Sequence, residues 1–208
     1  MENLRIGISL RIDKIQSYNE NRDAISQEWT TLLEKCDITP ILIPNSLKNI
    51  KNFLQELEIK GIILSGGDNI GEFPERDRTE NELIEYSLKN ELPILGVCRG
   101  MQILNKFFGG GVIKNESNNH VKLNHKITIL NSKFKKVFDN SKMEVNSYHN
   151  NIIRKSELNN DSDIFAIDER DNTIEGFFHL KYPIFGVMWH PERKSDEKSS
   201  QLLNEIFR

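Results

Sequence analysis

The sequence predicts an α/β protein of three layers, in which helices cover both faces of a central, mostly parallel sheet and antiparallel hairpins follow in the second half. In the first half, short apolar segments alternate with segments of helical periodicity; the apolar segments are residues 4–10, 40–44, 61–64 and 94–97. Continuous apolar strands joined by helices are typical of parallel sheets buried on both faces. In the second half, turn residues separate successive apolar segments, which predicts antiparallel pairing.

Length, charge and cysteine content limit the classes of protein to consider. The chain has 208 residues, of which 37% are hydrophobic, and we expect one domain over residues 1–208. The net charge of −3 argues against nucleic-acid binding. Two cysteines do not suggest a disulfide framework and favour a reducing compartment. Residues 1–5 do not resemble a leader, and no apolar run reaches about 20 residues, so we expect a cytoplasmic protein with no membrane partner.

Periodicity predicts three helices between the first four strands. The apolar positions at helical spacing are Ile25, Trp29, Leu32, Leu33 and Cys36 in the first helix and Leu47, Ile50, Leu54 and Leu57 in the second. Asp23 is the predicted cap of the first helix, and the polar residues 11–20 predict a loop. Thr79 and Glu82 match a capping box, which predicts that the third helix begins there.

The second half contains further strand-like segments and one helix. The predicted strands are residues 126–130, 163–167, 173–178 and 182–189, with a turn at 171–172. Leu202, Leu203 and Ile206 mark a last helix. The basic cluster of Lys133, Lys135 and Lys136 is predicted to be a solvated face.

A cysteine stands at the turn between the fourth strand and the next helix. Gly96 and Gly100 flank Cys98 with the spacing of a nucleophile elbow, in which glycines allow a strand and a helix to approach closely. The start of a helix favours the thiolate, the reactive form of a thiol. The backbone N–H of Arg99 is placed to stabilise an oxyanion. The pattern therefore predicts Cys98 as a nucleophile, whereas Cys36 fits a buried structural thiol.

A cysteine nucleophile needs a base, and His190 with Glu192 is the predicted pair. His190 ends an apolar strand, and the carboxyl ends of parallel strands lie at one edge of a sheet. Residues i and i+2 of an extended segment project to the same side, so Glu192 is expected to hold one ring nitrogen while the other faces Cys98. A structural role for the pair is the alternative, and the elbow favours the catalytic interpretation.

Together these motifs resemble the class I glutamine amidotransferase-like superfamily. The resemblance rests first on residues 96–102 (Gly-Val-Cys-Arg-Gly-Met-Gln) and 186–192 (Gly-Val-Met-Trp-His-Pro-Glu). The chain is most similar to the stand-alone γ-glutamyl hydrolases of that superfamily; the segments shared with them are 65–68, 76–80, 145–149 and 171–176. The resemblance extends from Ile6 to Glu192 and implies a flavodoxin-like three-layer sandwich.

The resemblance implies hydrolysis of a γ-glutamyl–nitrogen bond in a small-molecule substrate, with no cofactor and no metal. In that reaction Cys98 attacks the γ-carbonyl, His190 transfers the proton and Glu192 orients His190. The N–H groups of Gly67 and Arg99 form the oxyanion hole, and the residues that hold the glutamyl head group are Gln102, Ser147, Tyr148 and His149. Structural roles for Gln102 and His149 are the alternative.

The leaving group and two other functions stay open. Residues 69–74 form a short loop for this branch, which favours a leaving group larger than ammonia, such as one linked to a nucleotide; the lysine cluster is a candidate contact for its diphosphate. The alternatives are a glutaminase subunit that supplies ammonia to a separate synthase and an inactive binding protein on the same fold. His120 and His125 have no cysteine nearby and are predicted to be loop histidines, not metal ligands.

Overall fold

The computed structural model describes residues 4–115 and 120–208. The strands are β1 (Leu4–Ser9), β2 (Arg11–Ile15), β3 (Glu20–Ala24), β4 (Ile38–Ile43), β5 (Gly61–Leu64), β6 (Ile94–Val97), β7 (Ile113–Lys114), β8 (Val121–Ile129), β9 (Lys142–Tyr148), β10 (Asn151–Ile152), β11 (Ser162–Asp168), β12 (Ile174–His179) and β13 (Ile184–Val187). The helices are α1 (Gln27–Lys35), α2 (Ile50–Glu56), α3 (Pro74–Asn90), α4 (Arg99–Phe107), α5 (Ser132–Val137), α6 (Pro191–Lys194) and α7 (Glu197–Phe207).

Nine of the described strands form one mixed sheet in the order β4-β1-β5-β6-β13-β12-β11-β8-β9. Neighbours are parallel from β4 to β13 and antiparallel from β13 to β9, which confirms the predicted α/β fold with a parallel first part and antiparallel hairpins. Val187 pairs with Val97 in the parallel strands β13 and β6. The chain therefore leaves both strands at the same edge of the sheet, with Cys98 and His190 in the segments that follow.

Apolar side chains fill both faces of this sheet. Trp29 and Leu33 of α1 pack with Leu203 of α7 on one face. Leu54 of α2 and Met101 of α4 belong to the apolar core on the other face. Helices on both faces of the sheet give the predicted three layers. Within the described ranges, none of the helices combines the length and apolar character that crossing a bilayer requires.

Two helices begin at residues other than those predicted. Ser26 caps α1, because its side chain accepts a hydrogen bond from the N–H of Glu28, whereas the carboxylate of Asp23 accepts from the backbone and side chain of Asn45. Helix α3 begins at Pro74, five residues before the predicted capping box. Proline favours the first helical position because it needs no hydrogen-bond partner for a backbone N–H. Thr79 instead lies inside α3.

Residues 11–20, predicted as a loop, belong to a hairpin formed by β2 and β3. Arg11 pairs with Ala24 and Ile15 with Glu20. Ile12 is the buried residue of these two strands, so the alternation of apolar and polar residues that predicts strands is missing here. Strand β9 was not predicted either and pairs with β8. The lysine cluster is exposed on α5, as predicted; its members are Lys133, Lys135 and Lys136.

Gly100 lies in the first turn of α4, where this helix crosses β5. A Cβ added there would lie 2.0 Å from the carbonyl oxygen of Leu64 and 2.8 Å from the Leu64 Cβ. Because both atoms belong to a packed strand, α4 would have to move away. Gly100→Ala is therefore expected to lower the free energy of unfolding by about 3 kcal/mol in urea denaturation.

Gly109 provides the matched control for that substitution. No atom lies within 4 Å of a Cβ built at Gly109, whose φ is +86°. Gly109→Ala therefore introduces backbone strain without a clash, and we expect a loss of about 1 kcal/mol. If both variants lose the same stability, the close approach of α4 to β5 does not require glycine.

Candidate active site

Cys98 lies between β6 and α4 in a backbone conformation that residues other than glycine rarely adopt. Its φ is +52° and its ψ is −104°. Its N–H donates to the carbonyl of Val187 (2.8 Å), and its carbonyl accepts from the N–H of Gln102 (3.1 Å). A Cβ at Gly96 would lie 2.5 Å from the carbonyl oxygen of Gly100, so glycine is needed for this close turn. Hydrogen bonds to β13 and α4 thus hold the strained turn.

His190 follows β13 and is adjacent to Cys98. Its Nδ1 lies 2.6 Å from Oε1 of Glu192, and it lines the same cavity as Cys98, close enough for the two side chains to interact electrostatically. Because the carboxylate holds Nδ1, Nε2 is the nitrogen left for the sulfur. Asn146 of β9 fixes the backbone of His190 by accepting from its N–H (2.9 Å) and donating to its carbonyl (2.8 Å). The sequence analysis assigned no role to Asn146, because only the folded chain brings β9 to His190.

The charges of Cys98 and His190 stabilise each other. Burial raises the pKa of the Cys98 thiol, but the charge of His190 and its hydrogen bond, with smaller effects of His149 and the Arg99 N–H, bring the net pKa below its ordinary value. Burial lowers the pKa of His190, but Cys98 and Glu192 outweigh burial and raise it to about 10. The negative charge of a Cys98 thiolate and the positive charge of a His190 imidazolium therefore favour each other.

The loop after β5 packs directly against both side chains. A Cβ at Gly66 would lie 2.6 Å from Cε1 of His190 and 3.5 Å from the Cβ of Cys98. Gly67 has a φ of +108°, which favours glycine, and it lines the same cavity as Cys98. Arg99 directly follows Cys98, and its backbone N–H helps to lower the pKa of the thiol. The two predicted oxyanion-hole residues are thus a neighbour of Cys98 in the chain and a residue of the same cavity lining, and their binding of an oxyanion stays a prediction.

Arg99 also has a buried side chain, which the sequence analysis missed. Its guanidinium pairs with Asp77 and Glu80 of α3. Glu80 in turn accepts from Arg76 (3.1 Å) and from the hydroxyl of Ser9 (2.8 Å). These contacts tie α3, α4 and β1 together beneath the turn that carries Cys98. The sequence did contain one indication of this network. Residues 76–80 are shared with the family that the chain resembles, but the sequence analysis assigned them no role.

Arg76 extends the same network to the glycine loop. It donates to the carbonyl oxygens of Ser65 and Gly66, both at 2.9 Å, and to the carboxylate of Asp68 at 2.9 Å. Arg76 is fully buried, so these hydrogen bonds are shielded from water. The network therefore fixes the loop that packs on Cys98 and His190.

The four predicted head-group residues lie in different surroundings. Gln102 is buried in α4, where its side chain donates to the sulfur of Met188 (3.7 Å) and accepts from Asn151 (3.4 Å). The Ser147 hydroxyl donates to the carbonyl of His120. Of the four, Tyr148 is the one that lines the cavity of Cys98 in the part of the chain that the structure describes. Binding of the glutamyl group by these residues stays a prediction.

His149, the fourth of these residues, belongs to a buried histidine cluster. The ring of His120 lies 4.8 Å from that of His149 and 5.8 Å from that of His125, measured between centroids. The prediction that His120 and His125 are loop histidines is correct for His120, which lies in the turn before β8, and wrong for His125, which lies within β8; both side chains are buried. Polar residues at the start of β8 concealed this strand from the pattern analysis.

Four members of this region have the donor types of a metal site. The ligand atoms of His120, His125, Asp168 and Glu175 lie within 4.8 Å of one another. However, Arg170 donates to the Asp168 carboxylate (2.6 Å) and lies 3.2 Å from Nδ1 of His120. A guanidinium cation therefore already contacts two of the four donors. We interpret the group as a network of charges and hydrogen bonds, not as a metal centre.

Comparison with known proteins identifies the family. The sequence profile described as "Glutamine amidotransferase class-I" matches residues 16–208. The chain belongs to the class I glutamine amidotransferase family. One relative is a γ-glutamyl-CDP-amidate hydrolase from Campylobacter jejuni, 33% identical over 97% of this chain and 96% of the relative. Another is anthranilate synthase component 2 from Cyanophora paradoxa, 34% identical over 90% of this chain and 95% of the relative.

Solved structures agree with the amidotransferase fold. A glutamine amidotransferase from Thermotoga maritima superposes with a TM-score of 0.68 at 18% identity, over 99% of this chain and 84% of that protein. At that identity the similarity concerns the fold alone. The family match and the Campylobacter relative are the findings that support a hydrolase of the glutamine amidotransferase type.

A cavity of about 220 Å³ lies beside Cys98 in this class I amidotransferase. Arg11 of β2 and Arg193 of α6 line it together with Tyr148. The Arg193 guanidinium lies 4.0 Å from the centre of the Tyr148 ring, and Arg11 pairs with Asp13 at 3.1 Å. The cavity therefore presents two cations and an aromatic ring near the sulfur. The lysine cluster on α5 does not line it, and Lys133 pairs with Glu205 (2.7 Å).

Proposed function

We propose that this protein is a cysteine-dependent γ-glutamyl hydrolase. The observation that carries the proposal is the contact of Cys98 with His190, whose other ring nitrogen lies 2.6 Å from Glu192. A thiolate, an imidazole and a carboxylate in that order are the groups that acyl transfer requires. The further proposal of one amidotransferase domain over residues 1–208 agrees with a family match that reaches residue 208.

The proposed reaction has two stages. The Cys98 thiolate attacks the γ-carbonyl carbon, and the N–H groups of Gly67 and Arg99 stabilise the oxyanion. The C–N bond breaks as His190 donates its proton to the leaving nitrogen, which gives a γ-glutamyl thioester. His190 then takes a proton from water, the resulting hydroxide attacks the thioester, and glutamate leaves with regeneration of the Cys98 thiolate.

We propose γ-glutamyl-CDP-amidate as the substrate, hydrolysed to CDP-amidate and glutamate. The name of the Campylobacter relative, which matches almost the whole chain, supports this choice. The cations of Arg11 and Arg193 beside the sulfur also suit a leaving group that carries a diphosphate. By the same resemblance, the product would serve in making the phosphoramidate of a capsular polysaccharide.

The second candidate is the glutaminase subunit of an amidotransferase. It is supported by a relative that is a component of anthranilate synthase and is 34% identical to this chain. In that case glutamine is the substrate and ammonia passes to a partner synthase. Hydrolysis of γ-glutamyl-polyamine or γ-glutamyl-GABA substrates is a third possibility that the same chemistry serves.

One substrate panel distinguishes these candidates. The purified chain is assayed for glutamate release from γ-glutamyl-CDP-amidate, γ-glutamyl-putrescine, γ-glutamyl-GABA and glutamine. We expect turnover of the first substrate without a partner and poor turnover of glutamine. In parallel, the wild-type protein is quenched during turnover and weighed by intact mass spectrometry, where an added γ-glutamyl group marks the thioester.

Cys98→Ala is the control for that panel, with Cys36→Ala as its match. Cys98→Ala is expected to release no glutamate and to form no adduct, while Cys36→Ala keeps both. Glutamate release that survives in folded Cys98→Ala would end the hydrolase proposal and favour a binding protein. Efficient turnover of glutamine in place of the other substrates would favour the glutaminase candidate.

The role of Arg193 in binding the leaving group gives a further prediction. Arg193→Ala is expected to raise the KM for γ-glutamyl-CDP-amidate by about tenfold, because one charge-assisted contact to the diphosphate is lost. The KM for an uncharged γ-glutamyl amide should stay unchanged. Lys135→Ala on α5 is the matched control and should alter neither value. An equal rise for both substrates would mean that Arg193 acts on the glutamyl group or on folding.

A further inference from the structure

The buried histidine cluster is formed by His120, His125 and His149, with Glu175 beside them. Its titratable groups have no part in the proton transfers of the proposed reaction. His120 and His125 lie in or next to β8, Glu175 lies on β12, and His149 directly follows β9. Both oxygens of Glu175 and Nε2 of His149 have no conventional hydrogen-bond partner within the described residues, although they lie near one another. Buried polar groups without partners are costly, so the charge state of each ring follows from its neighbours.

His120 lies between a guanidinium and two carboxylates. Its Nδ1 lies 3.2 Å from the guanidinium of Arg170, which only donates, so this nitrogen accepts. Its Nε2 lies 2.8 Å from the carboxylate of Asp171, which accepts, so the proton is on Nε2. Asp168 is balanced by Arg170 at 2.6 Å. This side of the cluster therefore needs no protonated histidine.

His149 has acceptors at both ring nitrogens. Its Nδ1 lies 2.9 Å from the carbonyl oxygen of Asn151, which holds a proton on that nitrogen. Its Nε2 lies 3.6 Å from Oε1 of Glu175, whose carboxylate also only accepts. The two groups are almost completely buried, where a carboxylate needs a cation. His149 is therefore an imidazolium that is paired with Glu175.

The other groups around His149 do not replace this partner. His120 already pairs with Asp171 at 2.8 Å, and the negative charge that forms on Cys98 also favours a cation at His149. His125 lies 3.4 Å from Glu175 and 3.3 Å from Asp168, so it is shared between two carboxylates. Within the described residues, His149 faces Glu175 as its one carboxylate partner.

We propose that Glu175 is a positioning residue that holds His149 as an imidazolium, and that this second cation, beside His190, keeps Cys98 as a thiolate. The proposal rests on the proposed function in that Cys98 is the nucleophile. His190 must give up its proton during each turnover, whereas His149 stays charged because both of its nitrogens face acceptors. A cation that does not take part in proton transfer would hold the sulfur ready for attack through the whole cycle.

The pKa values of the three groups agree with this arrangement. Burial raises the pKa of Glu175, but His125 and His149 outweigh burial and bring it down to about 2. Burial lowers the pKa of His149, but Glu175 and then Cys98 raise it above its ordinary value. His149 in turn contributes to the lowered pKa of Cys98.

Titration of the Cys98 thiolate in Glu175→Gln tests the proposal. Gln keeps the shape of the side chain and removes its charge. Thiolate absorbance near 240 nm is followed against pH, with the Cys98→Ala spectrum subtracted. We expect the midpoint to move upward by about one pH unit, since one nearby cation is lost. The acidic limb of kcat/KM should move by the same amount.

Asp171→Asn is the matched control, because it removes a carboxylate from the same cluster but leaves Glu175 and His149 in contact. Its midpoint should not move. In a His149→Gln background, Glu175→Gln should cause no further shift, since the cation through which it acts is absent. A shift of equal size with and without His149 would overturn the proposal.

A measurement on the wild-type protein covers the case in which Glu175→Gln does not fold. Long-range ¹H–¹⁵N correlation of the histidine rings reports protons on each nitrogen, with His149 assigned by its loss in His149→Gln. We expect His149 to be doubly protonated at pH 7.5; a neutral ring would overturn the proposal. The thiolate titration and the histidine-ring correlation need no substrate. A failure of this inference can therefore be told apart from a failure of the proposed hydrolase activity, which the substrate panel tests.

Discussion

His190→Asn is expected to lower kcat/KM for the γ-glutamyl substrate by about 10³- to 10⁴-fold. The substitution removes the group that we propose as the proton donor to the leaving nitrogen, together with the main positive charge that acts on Cys98. Without that charge, burial raises the pKa of the thiol, so less thiolate is present at neutral pH. Glutamate release measured with a coupled dehydrogenase gives both kcat and KM.

His179→Asn is the matched control for this substitution. His179 ends β12, which is antiparallel to β13, so it lies at the opposite edge of the sheet from Cys98. Its Nδ1 accepts from backbone N–H groups of residues 181 and 182. We expect kcat/KM to stay within about twofold, as for substitutions away from the site. Similar losses in the two variants would show that His190 acts through folding and not through chemistry.

The same ion pair predicts the pH dependence of the wild-type enzyme. Since the pKa of Cys98 is lowered and that of His190 is raised to about 10, the pH range in which both groups carry their active charges is widened at both ends. Activity should fall at low pH as the thiolate gains a proton, and at high pH as His190 loses its proton near pH 10. A maximum confined to a narrow range near pH 6.5, the value of an unpaired histidine, would contradict the ion pair.

Arg99→Met is expected to reduce the free energy of unfolding by about 3–5 kcal/mol. The substitution removes one of the two arginine partners of the buried Glu80 carboxylate, which keeps Arg76. It also removes the arginine partner of Asp77. An uncompensated buried charge is far more costly than the loss of an exposed ion pair. Guanidinium chloride unfolding followed by the fluorescence of Trp29 and Trp189, both buried, measures the change.

Arg78→Met on the same helix is the control for this effect. Arg78 is about half exposed and reaches Glu82 at 4.0 Å, so its removal should cost less than about 1 kcal/mol. If Arg99→Met is as stable as Arg78→Met, the buried network does not hold α4 on α3. In that case the turn at Cys98 would depend on the glycines and on β13 alone.

The parts of the fold that depend on local pattern were predictable from the sequence. Continuous apolar segments identified β5 and β6, and the Gly96-x-Cys98-x-Gly100 spacing identified the turn, because each signal lies within a few residues. The prediction that Cys98 and His190 lie at the same edge of the sheet followed because the carboxyl ends of parallel strands meet at one edge. The hairpin β2–β3 was missed because its exposed strands carry no apolar alternation.

Surroundings that form only between distant segments were not predictable in this way. Arg99 was assigned a backbone role, since nothing near it in sequence shows that its side chain meets Glu80, nineteen residues away, inside the protein. The burial of His120 and His125 was not anticipated, because Asp168 and Glu175, which lie beside them, come from two later strands. The Asn146 contacts with His190 join residues 44 positions apart, which no spacing rule anticipates.

The β2–β3 hairpin has a consequence for how substrate range changes among such proteins. It is a two-stranded sheet of its own, and it places Arg11 at the cavity without pairing with the nine-stranded sheet. The hairpin also holds the glycine loop, because the N–H of Ile12 donates to Asp68 (2.9 Å). Substitutions of its exposed side chains are therefore expected to change which leaving groups the cavity accepts, while this backbone contact and the strands that position Cys98 and His190 stay in place.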